Sequence, residues 1–331
     1  MKKAMALFLS LLLLMSLAAC GSSGTASSGT DDGSNDAVVE DSTSSEDGNE
    51  AEDESSTDDA ESEDADDTSD TDTESQDAEI SFEELVVVDN DECVITITGI
   101  DADNIWGYTL NALFENKSSD KTYMFSVESA SINGVMCDPF FASEVAAGKK
   151  SNEEISFYDT DTLAENGVTE YTDIEMTFRV YDSDDWSADD VVYETIHIYP
   201  YGEENATTFE RETLDTDTVL VDNEYVTVIV TGYEHDDIWG YTANLFLVNK
   251  TDSVAIYSVD NASVNGFMID PFYADTVAAG KCAFSSMSWY DEDLEDNGIT
   301  DVEEIEFELT VYDYGDWLGD NYVEDVFTLN P

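Results

Sequence analysis

Basic residues are scarce. Lys and Arg together number 10 against 79 Asp and Glu in 331 residues, for a formal net charge of −69. Like charges would repel such a chain from DNA, RNA and anionic headgroups, which excludes nucleic acid as a partner and leaves few groups to hold an anionic substrate. Only 4 Cys and 2 His are present, with no Cys-x-x-Cys pair and no Gly-rich phosphate-binding loop. No helical period alternates with the strand patterns described below, so the two α/β lobes of a transporter's binding protein are not expected. What the chain has is apolar and aromatic weight, 41% and 11% of residues. That is too much for disorder throughout.

The only long apolar run is residues 4–17, preceded by Lys2 and Lys3 and closed by Leu17-Ala18-Ala19-Cys20-Gly21. It is short for a membrane span and has the length of a signal-peptide core. The closing residues resemble the lipobox of bacterial lipoproteins. The resemblance implies that Cys20 is diacylated through its thiol and becomes the mature N-terminus, so that 1–20 is a signal peptide. The protein would then be anchored on the outer face of the cytoplasmic membrane. Residues 21–80 follow with 23 acids and no base, and with Val38 and Val39 almost alone as large apolar residues. Such a segment has nothing to bury and is predicted to be a disordered acidic linker, roughly 40–45 Å end to end as a flexible coil.

Most of what remains is duplicated at a shift of 131–133 residues. Trp106-Gly107-Tyr108-Thr109 recurs as Trp239-Gly240-Tyr241-Thr242, Asn133-Gly134 as Asn265-Gly266, and Asp138-Pro139-Phe140 as Asp270-Pro271-Phe272. Val145-Ala146-Ala147-Gly148-Lys149 recurs as Val277-Ala278-Ala279-Gly280-Lys281. Two domains of one fold follow, 81–200 and 214–331, joined by a polar linker at 201–213. Each copy reads as β throughout. Cys93, Ile95 and Ile97 alternate with Val94, Thr96 and Thr98, and Ile174, Met176, Phe178 and Val180 alternate with Glu175, Thr177 and Arg179. Asn-Gly between apolar runs signals a tight hairpin. Seven or eight strands per copy suit an all-β antiparallel sandwich.

These cues resemble the immunoglobulin-like domains of uncharacterised Gram-positive surface lipoproteins. They comprise the strand pattern, Asn-Lys after the Trp-Gly-Tyr strand, Ala-Ala-Gly-Lys, and Leu163 followed by Asn166-Gly167. The resemblance implies the fold; members of this group have no agreed activity, so it implies little about function. The inter-sheet disulfide of antibody domains is not expected, because the Ile174 strand has no Cys to pair with Cys93. Cys93 and Cys137 stand where the other copy has Val226 and Ile269 and read as small buried hydrophobes rather than a bridge. Cys282 lies beside a turn and reads as an exposed thiol. His197 and His235 fall opposite Thr328 and Ala102, so a zinc site or Ser-His-Asp triad repeated in both copies is excluded.

Two loops in each copy set acids ahead of a Trp. One is Asp101, Asp103 and Trp106, matched by Glu234, Asp236, Asp237 and Trp239. The other is Asp182, Asp184, Asp185 and Trp186, matched by Asp313, Asp316 and Trp317. Connected as in an immunoglobulin sandwich, both would lie at one end and converge on one rim. Trp106, which opens a strand, is expected in the core. Oxygen-rich loops suit Ca²⁺, although neither has the EF-hand spacing, and acid-plus-aromatic rims suit envelope glycans, cationic peptides or another surface protein. The leading expectation is a lipid-anchored surface protein whose two modules bind or space at the envelope. The alternatives are Ca²⁺-dependent or carbohydrate binding, and a carboxylate-dependent glycan hydrolase.

Overall fold

The computed structural model describes Ile80 and residues 82–158, 160–316 and 318–331. The signal peptide, Cys20, residues 21–79 of the linker and Trp317 lie outside the described residues. The first copy forms β1 (Leu85–Asp89), β2 (Cys93–Asp101), β3 (Tyr108–Asn116), β4 (Tyr123–Ile132), β5 (Val135–Met136), β6 (Ala142–Val145), β7 (Lys150–Phe157), β8 (Ile174–Asp182) and β9 (Val192–Ile198). The second repeats them as β10 (Thr218–Asp222), β11 (Val226–Asp236), β12 (Gly240–Asn249), β13 (Ala255–Val264), β14 (Phe267–Met268), β15 (Asp275–Val277), β16 (Cys282–Trp289), β17 (Ile305–Asp313) and β18 (Val323–Leu329).

In each copy two antiparallel sheets enclose one core. β1-β2-β3-β7 contributes Ile95, Ile97, Leu110, Phe114 and Ile155, and β4-β8-β9 contributes Phe125, Met176, Phe178 and Val180. Ile95, Ile97, Met176, Phe178 and Val180 are among the residues whose period of two marks them in the sequence, so the tandem all-β sandwich reading holds. One short helix per copy departs from it: α1 (Thr160–Glu165) and α2 (Asp291–Asp296), each burying a single leucine, Leu163 or Leu294. A lone buried residue in six gives no period to read.

The recurring motifs prove to be clamps. At one end of each sandwich the Asn of Asn-Lys reaches across to the turn before the seventh strand: Asn116 Nδ2 donates to Lys121 O and Val145 O, and Asn249 Nδ2 to Ser253 O and Val277 O. Gly148 and Gly280 take φ of 66° and 68° in that turn. Lys117, Lys121, Lys149 and Lys150 sit here, as do Lys250 and Lys281 in the second copy, and we call it the lysine end. At the opposite end, Asn133 and Asn265 take positive φ, 52° and 51°, in the predicted hairpins. Asn133 Oδ1 also accepts the Thr172 and Asp173 N–H groups at 2.9 and 3.1 Å. Thr109 Oγ1 and Ser156 Oγ, like Thr242 Oγ1 and Ser288 Oγ, share a buried hydrogen bond of 2.8 Å there. This is the Trp-Gly end.

The two copies belong to one compact unit. β16 pairs in parallel with β5 at Cys282↔Val135, which makes one sheet of β10-β11-β12-β16-β5-β4-β8-β9 across both copies. On the outer face of that sheet Ile229, Phe246 and Phe284 stand in register on three neighbouring strands. The corresponding row in the first copy is Thr96, Leu113 and Asn152. The apolar row is covered by the segment 201–213, which is not a loose linker. Phe209 packs edge-on against Phe246 and Phe284 at 6.4 and 5.8 Å, and the Arg211 guanidinium lies 5.5 Å over the Phe246 ring. Arg211 is itself held by a bidentate pair with Asp217, both bonds 2.8 Å. Cys282 is therefore buried in the joint and not exposed. Burial pushes its thiol, like that of Cys93, up to about 11, which makes both poor nucleophiles. No disulfide joins the three described cysteines, so Cys93 and Cys137 are not bridged.

Candidate functional site

The two acidic loops of each copy do not share an end. β2 and β3 pair directly in one sheet, whereas an immunoglobulin sandwich places its second and third strands in different sheets. The hairpin loop carrying Asp101, Asp103 and Trp106 thus turns at the Trp-Gly end. Asp182 pairs with Tyr123 at the start of β4, beside Asn116 and Lys121, so Asp184, Asp185 and Trp186 turn at the lysine end. The second copy repeats this, with Glu234, Asp236, Asp237 and Trp239 at one end and Asp313 and Asp316 at the other. The single converging rim does not exist.

Several of these acids form their own turns. Asp236 Oδ1 accepts the Ile238 and Trp239 N–H groups at 2.7 and 2.9 Å, and Asp101 accepts from Asn104 Nδ2 at 3.2 Å. Asp182 accepts the Asp184 N–H, and that bond, with Lys121 beside it, holds its carboxyl below the usual range. Asp313 is held low in the same way, first by the Ser253 hydroxyl and then by the Gly315 N–H. Among the described residues no group of three or more His, Cys, Asp or Glu is placed to hold a metal ion.

At the Trp-Gly end the hairpin Trp has company that the sequence reading missed. Trp106 is 47% exposed, not in the core, and Phe140 and Tyr158 are exposed with it. Their counterparts cluster in the second copy: Trp239 stacks on Phe272 with ring centroids 5.4 Å apart and planes 19° off parallel, and Tyr290 lies 5.9 Å from Trp239. The signals were a recurring Asp-Pro-Phe and a Tyr one residue past an inward-facing Phe157 or Trp289. An aromatic directly following a core residue at the end of a strand faces out.

A cleft of about 540 Å³ opens beside the second trio. Its floor is Tyr241, Leu294, Ile299 and Val302, and its rim carries His235, Asp291, Glu295 and Asp301. The His235 imidazole sits 3.0 Å from both Asp291 carboxylate oxygens. In the first copy Tyr171 stands where Val302 does, and its ring meets Tyr108 edge-on at 4.8 Å. The smaller valine leaves that space open. Trp186, 77% exposed at the lysine end, has no such neighbours among the rings described.

Asp138, beside Phe140, adds a titration. Desolvation raises its carboxyl to about 6, with Asp275 and Glu128 repelling the charged form. A folded value above the free value of 3.8 means that the contribution to stability is complete below about pH 4 and is lost as pH rises through 6. Asp138→Asn keeps an acceptor for the Ala130 N–H, now 2.9 Å from Oδ1. The variant is expected to melt a few degrees higher than the parent at pH 7.5 and to lose part of the decline between pH 4 and 6. The side chain keeps solvent access, which limits the size of the effect. Parallel melting curves for the two proteins over that range would refute this.

No protein-family model matches the chain. No curated protein matches it either. Among solved structures, the YadV chaperone aligns with 72% of this chain and 100% of its own at 10% identity, with a TM-score of 0.21. Red sea bream transglutaminase aligns over 70% of this chain and 30% of its own at 12% identity and a TM-score of 0.20. The exo-chitosanase of Amycolatopsis orientalis aligns over 70% of this chain and 26% of its own at 10% identity and a TM-score of 0.19. Likeness at this level carries no functional argument.

Proposed function

We propose that this is a lipid-anchored surface protein whose two β-sandwich repeats are non-catalytic binding modules at the cell envelope, with recognition at the Trp-Gly ends. The observation that carries the reading is an aromatic cluster in the second copy, where half-buried Trp239 stacks on the exposed Phe272 beside the exposed Tyr290, with Trp106, Phe140 and Tyr158 exposed at the matching positions of the first. Large rings left in water twice at matching positions are unusual on a surface otherwise rich in charge. Flat rings stack on the apolar faces of sugars or hold cations over their π-faces, and neighbouring carboxylates accept hydrogen bonds from hydroxyl or ammonium groups. The anchoring rests on the lipobox and the Cys20 thiol, and the acidic segment 21–80 would serve as a spacer.

The test is to titrate the protein with a soluble peptidoglycan oligosaccharide and, separately, with a lysine-rich peptide, following tryptophan fluorescence. One of the two should shift the emission, and the double variant Trp106→Ala, Trp239→Ala should lose at least tenfold in affinity. Binding that survives the double variant, or no response to either probe at millimolar concentration, would defeat the proposal.

A further inference from the structure

The joint between the copies is heterologous. The Trp-Gly end of the first copy receives the lysine end of the second: Gly134 O accepts the Cys282 N–H at 3.0 Å, and Lys281 Nζ sits 2.7 Å from Glu175 Oε2. Val135 is fully buried, and Met136 packs against the second copy's core. A heterologous joint made once leaves one unused half at each end of the pair.

Both unused halves keep the parts of the joint. On the second copy, Phe267 and Met268 occupy the places of Val135 and Met136 and are 48% and 70% exposed. Gly266 stands for Gly134, and the exposed Glu306 stands for Glu175. On the first copy, Lys149 and Lys150 stand for Lys281 and Cys282, and Lys149 is exposed.

Charge supplies one complementary pair. Of the four lysines at the free lysine end, Lys117, Lys121 and Lys150 are already paired with Asp89, Asp182 and Glu115, which leaves the exposed Lys149 for a partner. The free Trp-Gly end carries acids on α2 and at Asp301, Glu303 and Glu304, while the second copy's only bases, Lys250 and Lys281, lie at its other end.

We propose that a second copy of this chain docks head to tail on the hairpin of Asn265–Met268, with Lys149 on Glu306 and the Lys150 N–H on the Gly266 carbonyl. The docking repeats the internal joint without its aromatic seal, since Thr96, Leu113 and Asn152 replace Ile229, Phe246 and Phe284. It is therefore weaker than the internal joint and depends on concentration. It leaves the aromatic trio free, as the internal joint leaves Trp106, Phe140 and Tyr158 exposed. Because a head-to-tail contact of this kind need not close, assembly is expected to pass beyond the dimer.

Sedimentation velocity of the full chain at physiological salt, which screens the net negative charge, tests this. The sedimentation coefficient should rise with concentration without levelling at a dimer. Lys149→Glu and Glu306→Lys should each weaken association at least tenfold. Mixing the two variants in equal amounts should restore it, because each reversed charge then meets its opposite. The double variant Phe267→Ser, Met268→Ser should abolish association and leave the melting temperature unchanged. A single species at every concentration overturns the proposal. So does association that ignores the single reversals, or a mixture that fails to recover.

Discussion

Replacing Gly240 by alanine is expected to destabilise the protein by about 3 kcal/mol, through a mechanism that Gly266 does not share. Gly240 has a φ of 75°, and a Cβ there would stand 2.2 Å from the Trp289 carbonyl oxygen and 2.8 Å from the Asp291 nitrogen. Both are backbone atoms, of the end of β16 and the first residue of α2, so neither can swing aside. Gly266 has a φ of 80° but nothing within 4 Å of its Cβ position. Alanine at 266 thus bears only the left-handed backbone cost, roughly 1–2 kcal/mol. For a folded unit of this size each kcal/mol moves the melting temperature by roughly 2–4 °C. Gly240→Ala should therefore melt well below Gly266→Ala. The first copy offers a replicate, since a Cβ on Gly107 at φ 105° would lie 2.1 Å from the Phe157 carbonyl oxygen. Thermal melts of the three variants decide the matter: equal losses at 240 and 266 would mean that the close backbone approach is unimportant.

That comparison shows which part of Trp-Gly-Tyr-Thr was legible. The motif's recurrence marks a site under constraint, yet much of it is structural. The glycine admits the neighbouring strand, and the threonine bonds a buried serine on it. Strand positions and the sandwich were readable because alternation such as Ile95-Thr96-Ile97 directly encodes which face is buried. Connectivity was not. Alternation within a strand says nothing about which sheet the strand joins, and that choice sends Asp182–Trp186 to the end opposite Asp101–Trp106. The aromatic trio was out of reach for the same reason. Trp239, Phe272 and Tyr290 are spread over 51 positions of sequence, and only the folded hairpin, the Asp-Pro-Phe turn and the end of β16 bring them together.

The joint, by contrast, did leave a signal, in the difference between the copies. Outward positions of a half-buried strand should be mostly polar, as Thr96, Glu115 and Asn152 are in the first copy beside the apolar Leu113. Their counterparts Ile229, Val248 and Phe284 are apolar. A sheet face that turns apolar in one repeat only is covered in that repeat only. Together with Phe209 in an otherwise polar segment, this predicts a rigid contact where composition alone predicts a tether.

Phe246→Ala tests that reading with the second large effect. The ring is 6% exposed although it projects away from its own sandwich core, between Ile229 and Phe284 and beneath Phe209 and Arg211. Truncating a buried phenylalanine costs about 3–5 kcal/mol, and here the loss falls on the joint. Phe209 loses one of its two ring partners, and the Arg211 guanidinium loses the face it covers. The expected result is a drop of that size in unfolding free energy, together with faster proteolytic cleavage within 201–213 as the segment detaches. Leu113→Ala is the control, because Leu113 holds the equivalent outward position on β3 with no second copy over it. It should cost about 1 kcal/mol or less and leave cleavage within 201–213 unchanged. If both variants lose the same stability and neither changes cleavage, Phe246 contributes only ordinary surface packing, and the two sandwiches are joined by the β5–β16 bridge and the Lys281–Glu175 pair alone.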